Sequence, residues 1–280
     1  MAGTNVERYV DLHVHTHYSD GSFSPEEVVC RARKVGLSAI GIADHDDVGG
    51  VSEAIWIGHA HGVEIVPAVE MTVGLNGKEI HLLGYLINHN YGPLREALEF
   101  FRRERFRRME RMIEKLRKVG VNIYLEAVRR NGGPGTLGRL HLARTLFEHG
   151  KVGSVQEAFD RFIGRGKPAF VDKPIFRTEE ACCLINEAGG VPVLAHPKLT
   201  HVDKEIPELV GLGIRGIEAY YPKHTPEETA RYLAMAEKYN LVVTGGSDCH
   251  GVIKDTMLLG VVKLPYRYLE ELREHARRRV

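Results

Sequence analysis

The sequence predicts an α/β fold, a parallel βα barrel or layered sheet carrying a helical insertion. Three observations carry that expectation. Short β-branched runs alternate with helical patterns, helix-start signals stand between them, and the alternation breaks between about 92 and 175. At 280 residues the chain is long enough for one large α/β core, whole or interrupted.

In chain order the strands are expected at 9–15 (YVDLHVH), 38–44 (SAIGIAD), 63–70 (VEIVPAVE), 79–87 (EIHLLGYLI), 191–197 (VPVLAHP), 216–221 (GIEAYY) and 241–248 (LVVTGGSD). Ser24, Pro25 and Glu27, and again Thr225, Pro226 and Glu228, form capping boxes with proline at the first helical position. Asn76 and Gly77 between two apolar runs read as a tight hairpin turn, a local departure from βα alternation. From residue 92 a long helix begins (LREALEFFRRERFRRMERMIEKLRKVG), with further helical segments at about 139–149 and 154–163. The expected organisation is therefore a barrel domain built from 1–91 and 176–280, with a helical substrate-recognition insertion at 92–175. The segment PYRYLEELREHARRR closes the chain as a helix with a basic end, which suits the helix dipole.

Composition narrows the function classes. With 43% hydrophobic and 27% charged residues and a net charge of +1, neither disorder nor a generally polyanion-binding surface is indicated, so any attraction to phosphates must be local. The four cysteines include the neighbours Cys182 and Cys183 and give no disulfide framework or zinc C-x-x-C pattern. No apolar stretch has the length of a signal peptide or approaches the roughly 20 residues of a membrane span, so a cytoplasmic setting is expected.

The chemistry lies at the strand ends. His13 and His15 end the first strand, Asp44 and His45 the second, Glu70 the third and His196 the fifth; His81 lies in the fourth, and Asp248 and His250 follow the seventh. In a βα barrel these ends converge on one face. Residues i and i+2 of an extended strand share a side, so His13 with His15, and Asp248 with His250, can each present two ligands together. Imidazole suits zinc, iron or manganese, while Asp20, Glu70 and Asp248 favour harder ions and allow a carboxylate to bridge. Nine candidate ligands exceed what one cation uses, so more than one metal is implied. His59, His61, His89, His141, His149, His201 and His275 are read as ordinary core or surface histidines, and His17 has no assigned role.

These segments resemble a known family. DLHVHTHYSDGSFSPEEVV, GIADHDDVGG, VPAVEMT with EIHLLGY, VLAHP and GSDCHG, in that order, are similar to the motif regions of the PHP (polymerase and histidinol phosphatase) superfamily. The resemblance implies a distorted (β/α)7 barrel with a trinuclear centre. One metal would take His13, His15, Glu70 and Asp248, a second Asp20, His45 and His250, and a third Glu70, His81 and His196, with Glu70 bridging. Asp44 would support a ligand or cap a helix. Cys249 departs from the aromatic residue of the family pattern, at a position between ligands. IHLLGY, the helical insertion, GRLHLARTL and RGKPAFV look most like the group containing RNase AM and the 3′,5′-nucleotide bisphosphate phosphatases.

The implied reaction is phosphoester hydrolysis by a metal-activated hydroxide attacking phosphorus in line. No Ser-His-Asp spacing or Walker loop offers another route, and His224 is the weak candidate for the acid that protonates the leaving group. Between Leu94 and Gly120 ten Lys and Arg face five Glu, an excess of five positive charges. Pairs such as Glu99 with Arg103, Glu104 with Arg108 and Glu114 with Lys118 read this as a solvated helix face. Arg139, Arg165 and Lys167 in the insertion are the expected grip on a second phosphate. The expected substrates are nucleoside 3′,5′-bisphosphates or short 5′-phosphorylated oligonucleotides, degraded 5′→3′, with two or three divalent cations, manganese first and iron or zinc as substitutes. The alternatives are a small metabolite phosphate such as histidinol phosphate, or a non-catalytic metal-binding module. No membrane and no obligate protein partner is implied.

Overall fold

A computed structural model describes residues 7–132, 134–254 and 258–278. Strands β1 (Tyr9–Val14), β2 (Leu37–Ile42), β3 (Glu64–Leu75), β4 (Lys78–Tyr85), β5 (Phe176–Arg177), β6 (Val191–Leu194), β7 (Gly216–Tyr220), β8 (Val242–Gly245) and β9 (Leu264–Pro265) form one sheet. Its order is β8-β7-β6-β4-β3-β2-β1-β9, with β5 alongside β3. All seven expected strands are present. The two additions, β5 and β9, are two residues each, too short to leave a periodic signal.

The sheet is mostly parallel, but β4 runs antiparallel to both of its neighbours, β3 and β6. The cause is the hairpin at Asn76 and Gly77, whose φ values of 50° and 76° suit a primed turn. Reversal places the start of β4 at the end of the barrel where parallel strands finish, with His81 opposite Thr72 and Leu83 opposite Glu70. The sheet curls until β1 meets the segment after β8: Val14 bridges Cys249, and the His15 amide donates to the Cys249 carbonyl at 3.0 Å. The result is a nearly closed barrel.

Helices α1 (Pro25–Lys34) and α2 (Val51–His61) cover β1 and β2, burying Val28, Val29 and Ala54 against Val14, Ile40 and Ile42. The insertion follows β4 as α3 (Gly92–Lys118), α4 (Leu125–Asn131), α5 (Arg139–Glu148) and α6 (Val155–Ala158), the last running into a π-helical turn at Phe159–Ile163. Then come α7 (Thr178–Glu187), α8 (Pro197–Thr200), α9 (Ile206–Gly211), α10 (Pro226–Tyr239) and α11 (Arg267–Arg277). Both capping boxes form. The Glu27 amide donates to Ser24 Oγ at 3.2 Å and the Ser24 amide to the Glu27 carboxylate at 2.9 Å; the Thr225 and Glu228 distances are 3.2 and 2.8 Å.

Helix α3 belongs to two cores. Leu94 and Leu98 pack with Val69, Met71 and Ile185 of the barrel, whereas Met109, Met112 and Leu116 pack with Val128, Leu142 and Leu146 in a separate cluster. The solvated-face expectation fails for its middle. Arg105 and Arg108 are only 5% and 3% exposed. Glu99 pairs with Arg102, and Glu104 with Arg107, so of the expected pairs only Glu114 with Lys118 forms. The reason is tertiary: Arg105 reaches down to Asp46 and Thr72 on the barrel, and Arg108 Nε donates to the Val171 carbonyl at 2.8 Å. A third tie joins the Thr136 amide to the Tyr18 carbonyl at 2.9 Å, beside Gly135, where a Cβ would fall 1.7 Å from that oxygen.

The β1–β2 pair carrying the first histidines is equally close. A Cβ on Gly41 would lie 2.1 Å from the Leu12 carbonyl oxygen. Gly41→Ala is expected to cost about 1–3 kcal/mol, a drop of at least ~2 °C in the thermal midpoint. An unchanged midpoint by calorimetry would contradict this strand contact.

Candidate metal centre

At the mouth of the barrel a single carboxylate is surrounded by imidazoles. Glu70 is fully buried, and its backbone is clamped to the loop after β2: its amide donates to the Asp44 carbonyl at 3.1 Å, and the Asp46 amide donates to its carbonyl at 2.9 Å. One carboxylate oxygen lies 2.8 Å from His81 Nδ1 and 2.9 Å from His196 Nε2. The other lies 3.0 Å from His45 Nδ1, 3.3 Å from His15 Nε2 and 3.4 Å from His13 Nε2. Asp248 Oδ1 approaches His15 Nε2 at 3.1 Å, and Asp20 lies 3.2 Å from His250 Nε2.

Ligand atoms in this cluster form four overlapping sets, each within 4.8 Å: His15, Asp20, His45 and His250; His13, His15 and Asp248; His13, Glu70 and His196; His45, Glu70 and His81. Together they contain all nine residues singled out in the sequence. The backbone differs from the extended reading in one respect. Asp248 sits at φ 52° rather than in a strand, and His250 Nδ1 turns back to the Asp248 carbonyl at 2.8 Å.

The electrostatics fit a cation-binding cluster. Burial alone would raise the Glu70 carboxyl, but His45, His81 and His13 outweigh it and hold it well below the usual range. Asp20 and Asp248 are likewise held low against burial, each chiefly by His250. Burial opposes protonation of His15 and His81, yet Asp248 and Glu70 raise His15 to about 9, and Glu70 and Glu79 raise His81 to about 9. Three buried ligand atoms, on Asp20, His45 and Glu70, still lack a hydrogen-bond partner of proper geometry. Lone pairs converging from four imidazoles or more and three carboxylates are what divalent cations require.

Known proteins point the same way. The model of the PHP domain family matches residues 11–161. A 5′-3′ exoribonuclease of Haemophilus influenzae is 32% identical over 246 residues, covering 86% of this chain and 89% of that protein. The chain belongs to the PHP domain family. A 3′,5′-nucleoside bisphosphate phosphatase of Chromobacterium violaceum is 29% identical over 247 residues, with 86% and 87% covered. A Bifidobacterium adolescentis structure assigned as a metal-dependent phosphoesterase superimposes with a TM-score of 0.86 at 29% identity, over 95% of both chains. This PHP protein is accordingly a metal-dependent phosphoesterase.

Other expected residues fall in several places. Asp44 supports the β1–α1 loop: it accepts from the Thr16 amide at 2.8 Å, Thr16 Oγ1 at 2.6 Å and Ser19 Oγ at 2.5 Å, and it reaches His15 only through Ser19. His224 stands behind Tyr221, its ring 5.2 Å from the tyrosine's, with Nδ1 donating to the Ala219 carbonyl at 2.9 Å. Arg139 lines a cavity of about 180 Å³ that opens beside Asp20 and His45. Arg165 and Lys167 do not: both are exposed, in a turn where the Lys167 amide donates to the Gly164 carbonyl. The cations that share the cavity with Arg139 are Arg105, Arg108 and Lys173.

Two further residues of this PHP centre were missed. Glu218, fully buried in β7, accepts from His13 Nδ1 at 2.9 Å and from the His196 amide at 2.9 Å, holding two candidate ligands at once. Its signal was available, a lone carboxylate inside the apolar strand GIEAY. Tyr221 donates to Asp248 Oδ2 at 2.9 Å.

Such supporting carboxylates typically contribute 10–100-fold in metal affinity. Glu218→Gln, with one acceptor oxygen for two donors, is expected to weaken manganese binding by about that factor in chelator competition; unchanged affinity would remove Glu218 from the centre.

The metal-free protein should also respond to pH. Imidazoles raised by folding stabilise below their ordinary value of 6.5 and lose that contribution as pH rises through about 9. Its thermal midpoint is expected to fall between pH 6.5 and 9, and added manganese to suppress the fall. A midpoint that stays level or climbs over that window would contradict the protonated cluster.

Proposed function

We infer that this phosphoesterase hydrolyses nucleotide phosphate esters, taking 3′,5′-bisphosphonucleotides and short 5′-phosphorylated oligonucleotides from the 5′ end. The cationic cavity beside the centre carries the reading. Arg105 is paired with Asp46 and Lys173 with Glu79, but Arg108, 3% exposed, has no carboxylate partner among the described residues. Burial, with Arg139 and Arg105 alongside, lowers its guanidinium to about 10. A buried cation crowded by like charges calls for an anion, and guanidinium groups grip phosphate bidentately. A substrate whose reacting phosphate lies at the cluster, with a second phosphate in this cavity, satisfies both. The activities named for the Haemophilus and Chromobacterium relatives support the same substrate class.

Two or three divalent cations, manganese first, are proposed to be held by His13, His15, Asp20, His45, Glu70, His81, His196, Asp248 and His250. When bound they supply Lewis acidity toward water and the phosphoryl oxygens. The chain's own part is positional. Glu218 fixes His13, Tyr221 fixes Asp248, and the Glu79–Lys173 pair adjoins His81, with Glu79 at 3.4 Å from Nε2. Arg108 and Arg139 orient the far phosphate.

Manganese-loaded enzyme is expected to release phosphate from adenosine 3′,5′-bisphosphate, and mononucleotides from a 5′-phosphorylated RNA pentamer, faster than phosphate from histidinol phosphate. His13→Ala should abolish all three activities. Arg108→Ala should raise KM for the bisphosphate about tenfold or more, on the scale of one lost charged hydrogen bond, without affecting a simple aryl monophosphate. Preference for histidinol phosphate, indifferent to Arg108, would overturn the nucleotide reading.

A further inference from the structure

One cation of the cavity beside the centre differs from the others. Three are guanidiniums, on Arg105, Arg108 and Arg139; the fourth is the ammonium of Lys173, whose side chain is 16% exposed. Its place is fixed from both sides. Residues 171–175 have no regular structure, but the Val171 carbonyl accepts from Arg108 Nε at 2.8 Å, and just past the lysine β5 pairs with the end of β3, Phe176 opposite Val73. The side chain then reaches β4. Its Nζ donates to Glu79 Oε1 at 2.6 Å, and the same oxygen lies 3.4 Å from Nε2 of the candidate ligand His81. The ammonium is therefore at most about 6 Å from that ring nitrogen, at the border between the cavity and the imidazole cluster.

That border is where a proton is needed. Breaking a sugar phosphate ester leaves an alkoxide, a strongly basic leaving group that departs far faster when an acid protonates it. With the reacting phosphate at the cluster and a second phosphate in the cavity, the ester oxygen faces the cavity, because the rest of the substrate extends there. Few lining residues can supply the proton. Asp20 and His45 are candidate ligands, and guanidiniums hold a phosphate rather than release a proton. Ser19 Oγ already donates to Asp44 at 2.5 Å, and the Thr136 hydroxyl is as weak an acid as the alcohol to be released. His224 is turned to the Ala219 carbonyl. Lys173 carries three N–H donors. Burial, with Arg105 alongside, lowers it from the ordinary lysine value against Glu79 and Asp46, which makes it a stronger acid.

We propose that Lys173 is the general acid of this phosphoesterase and gives its Nζ proton to the leaving ester oxygen. The proposal rests on the nucleotide reading of the cavity and adds the acid that this reading lacks. In the step, a water oxygen bonds to phosphorus as the bond from phosphorus to the ester oxygen breaks. The electron pair of that bond stays on the ester oxygen and takes the Nζ proton, so the sugar leaves as an alcohol. The attacking water's proton passes to solvent, and the lysine amine regains one from solvent. Glu79 is the positioning residue, since its 2.6 Å bond holds Nζ at the border of the cluster.

Dependence on the leaving group tests this in the manganese-loaded full-length enzyme. Nitrophenolate departs from p-nitrophenyl phosphate as a stable anion and needs no proton, whereas the ribose oxygen of adenosine 3′,5′-bisphosphate does. Lys173→Arg keeps the charge but not the transferable proton. It is expected to lower kcat for the bisphosphate about 100-fold or more, the scale of lost general-acid catalysis, and kcat for the nitrophenyl ester by less than about tenfold. KM for the bisphosphate should change little. Lys173→Gln should show the same contrast in kcat with a raised KM, because the charge is gone as well. Damage to the fold or to manganese binding lowers both rates alike, so their ratio isolates the proton. Equal losses on the two esters, or a bisphosphate kcat retained by Lys173→Arg, would overturn the assignment. Failure of the nucleotide reading looks different: the wild-type enzyme would cleave the nitrophenyl ester and leave the bisphosphate intact.

Discussion

The buried carboxylate of Glu70 is the constraint on which this structure turns. Left alone, an ionised carboxylate without exposure in a protein interior would be very costly, and the usual relief is protonation. Here the relief comes from outside its own strand. Five imidazoles from β1, the loop after β2, β4 and the end of β6 stand within 3.4 Å of its two oxygens. Each of those elements must end at the right height for this to hold. The reversal of β4 at Asn76 and Gly77 is thus part of the centre: a fourth strand running parallel would start at the opposite end of the barrel and carry His81 away from Glu70.

Holding these groups together strains the backbone. Asp46, His196 and Asp248 all occupy positive φ, at 49°, 26° and 52°, without being glycine. Such conformations cost on the order of 1–3 kcal/mol each and persist only where surroundings over-determine them. The surroundings are identifiable. The Asp46 amide is tied to the Glu70 carbonyl and its side chain to Arg105, the His196 amide to Glu218, and the Asp248 carboxylate to Tyr221. Glu218 and Arg105 therefore work on the centre through the conformation of its backbone as well as through charge.

The sequence was most informative where geometry is local. Strand positions, both capping boxes and the Asn76–Gly77 turn depend on residues within a few positions of one another, and all were legible. The gathering of the nine histidines and acids was legible for another reason, since barrel topology alone brings strand ends together, and the resemblance to a family pattern had singled out those nine. What was not legible depended on docking. The i,i+4 rule treats α3 as an isolated helix, so Arg105 and Arg108 looked solvated; once the insertion folds back, the same side chains face Asp46 and Val171. Arg165 and Lys167 drew attention by charge and motif, but the turn at Gly164 leaves them exposed. Glu218 was readable in principle, because a carboxylate in the middle of an apolar strand demands a buried partner.

Helix α3 is where fold and function meet. Its first half is packed on the barrel and its second half on α4 and α5. Its arginines divide between two cavities: Arg95 and Arg103 line a larger one between α2 and α3, Arg105 and Arg108 the smaller one by Asp20 and His45. One element thereby fixes the position of the smaller, cationic cavity relative to one carboxylate, through the Arg105–Asp46 pair. A displacement of α3 that broke this pair would leave Asp46, held then by the Thr72 amide, as a buried charge without its ion-pair partner one residue from His45, a greater cost than losing an exposed ion pair. The placement of the insertion is therefore enforced by the same desolvation physics that gathers the imidazoles around Glu70.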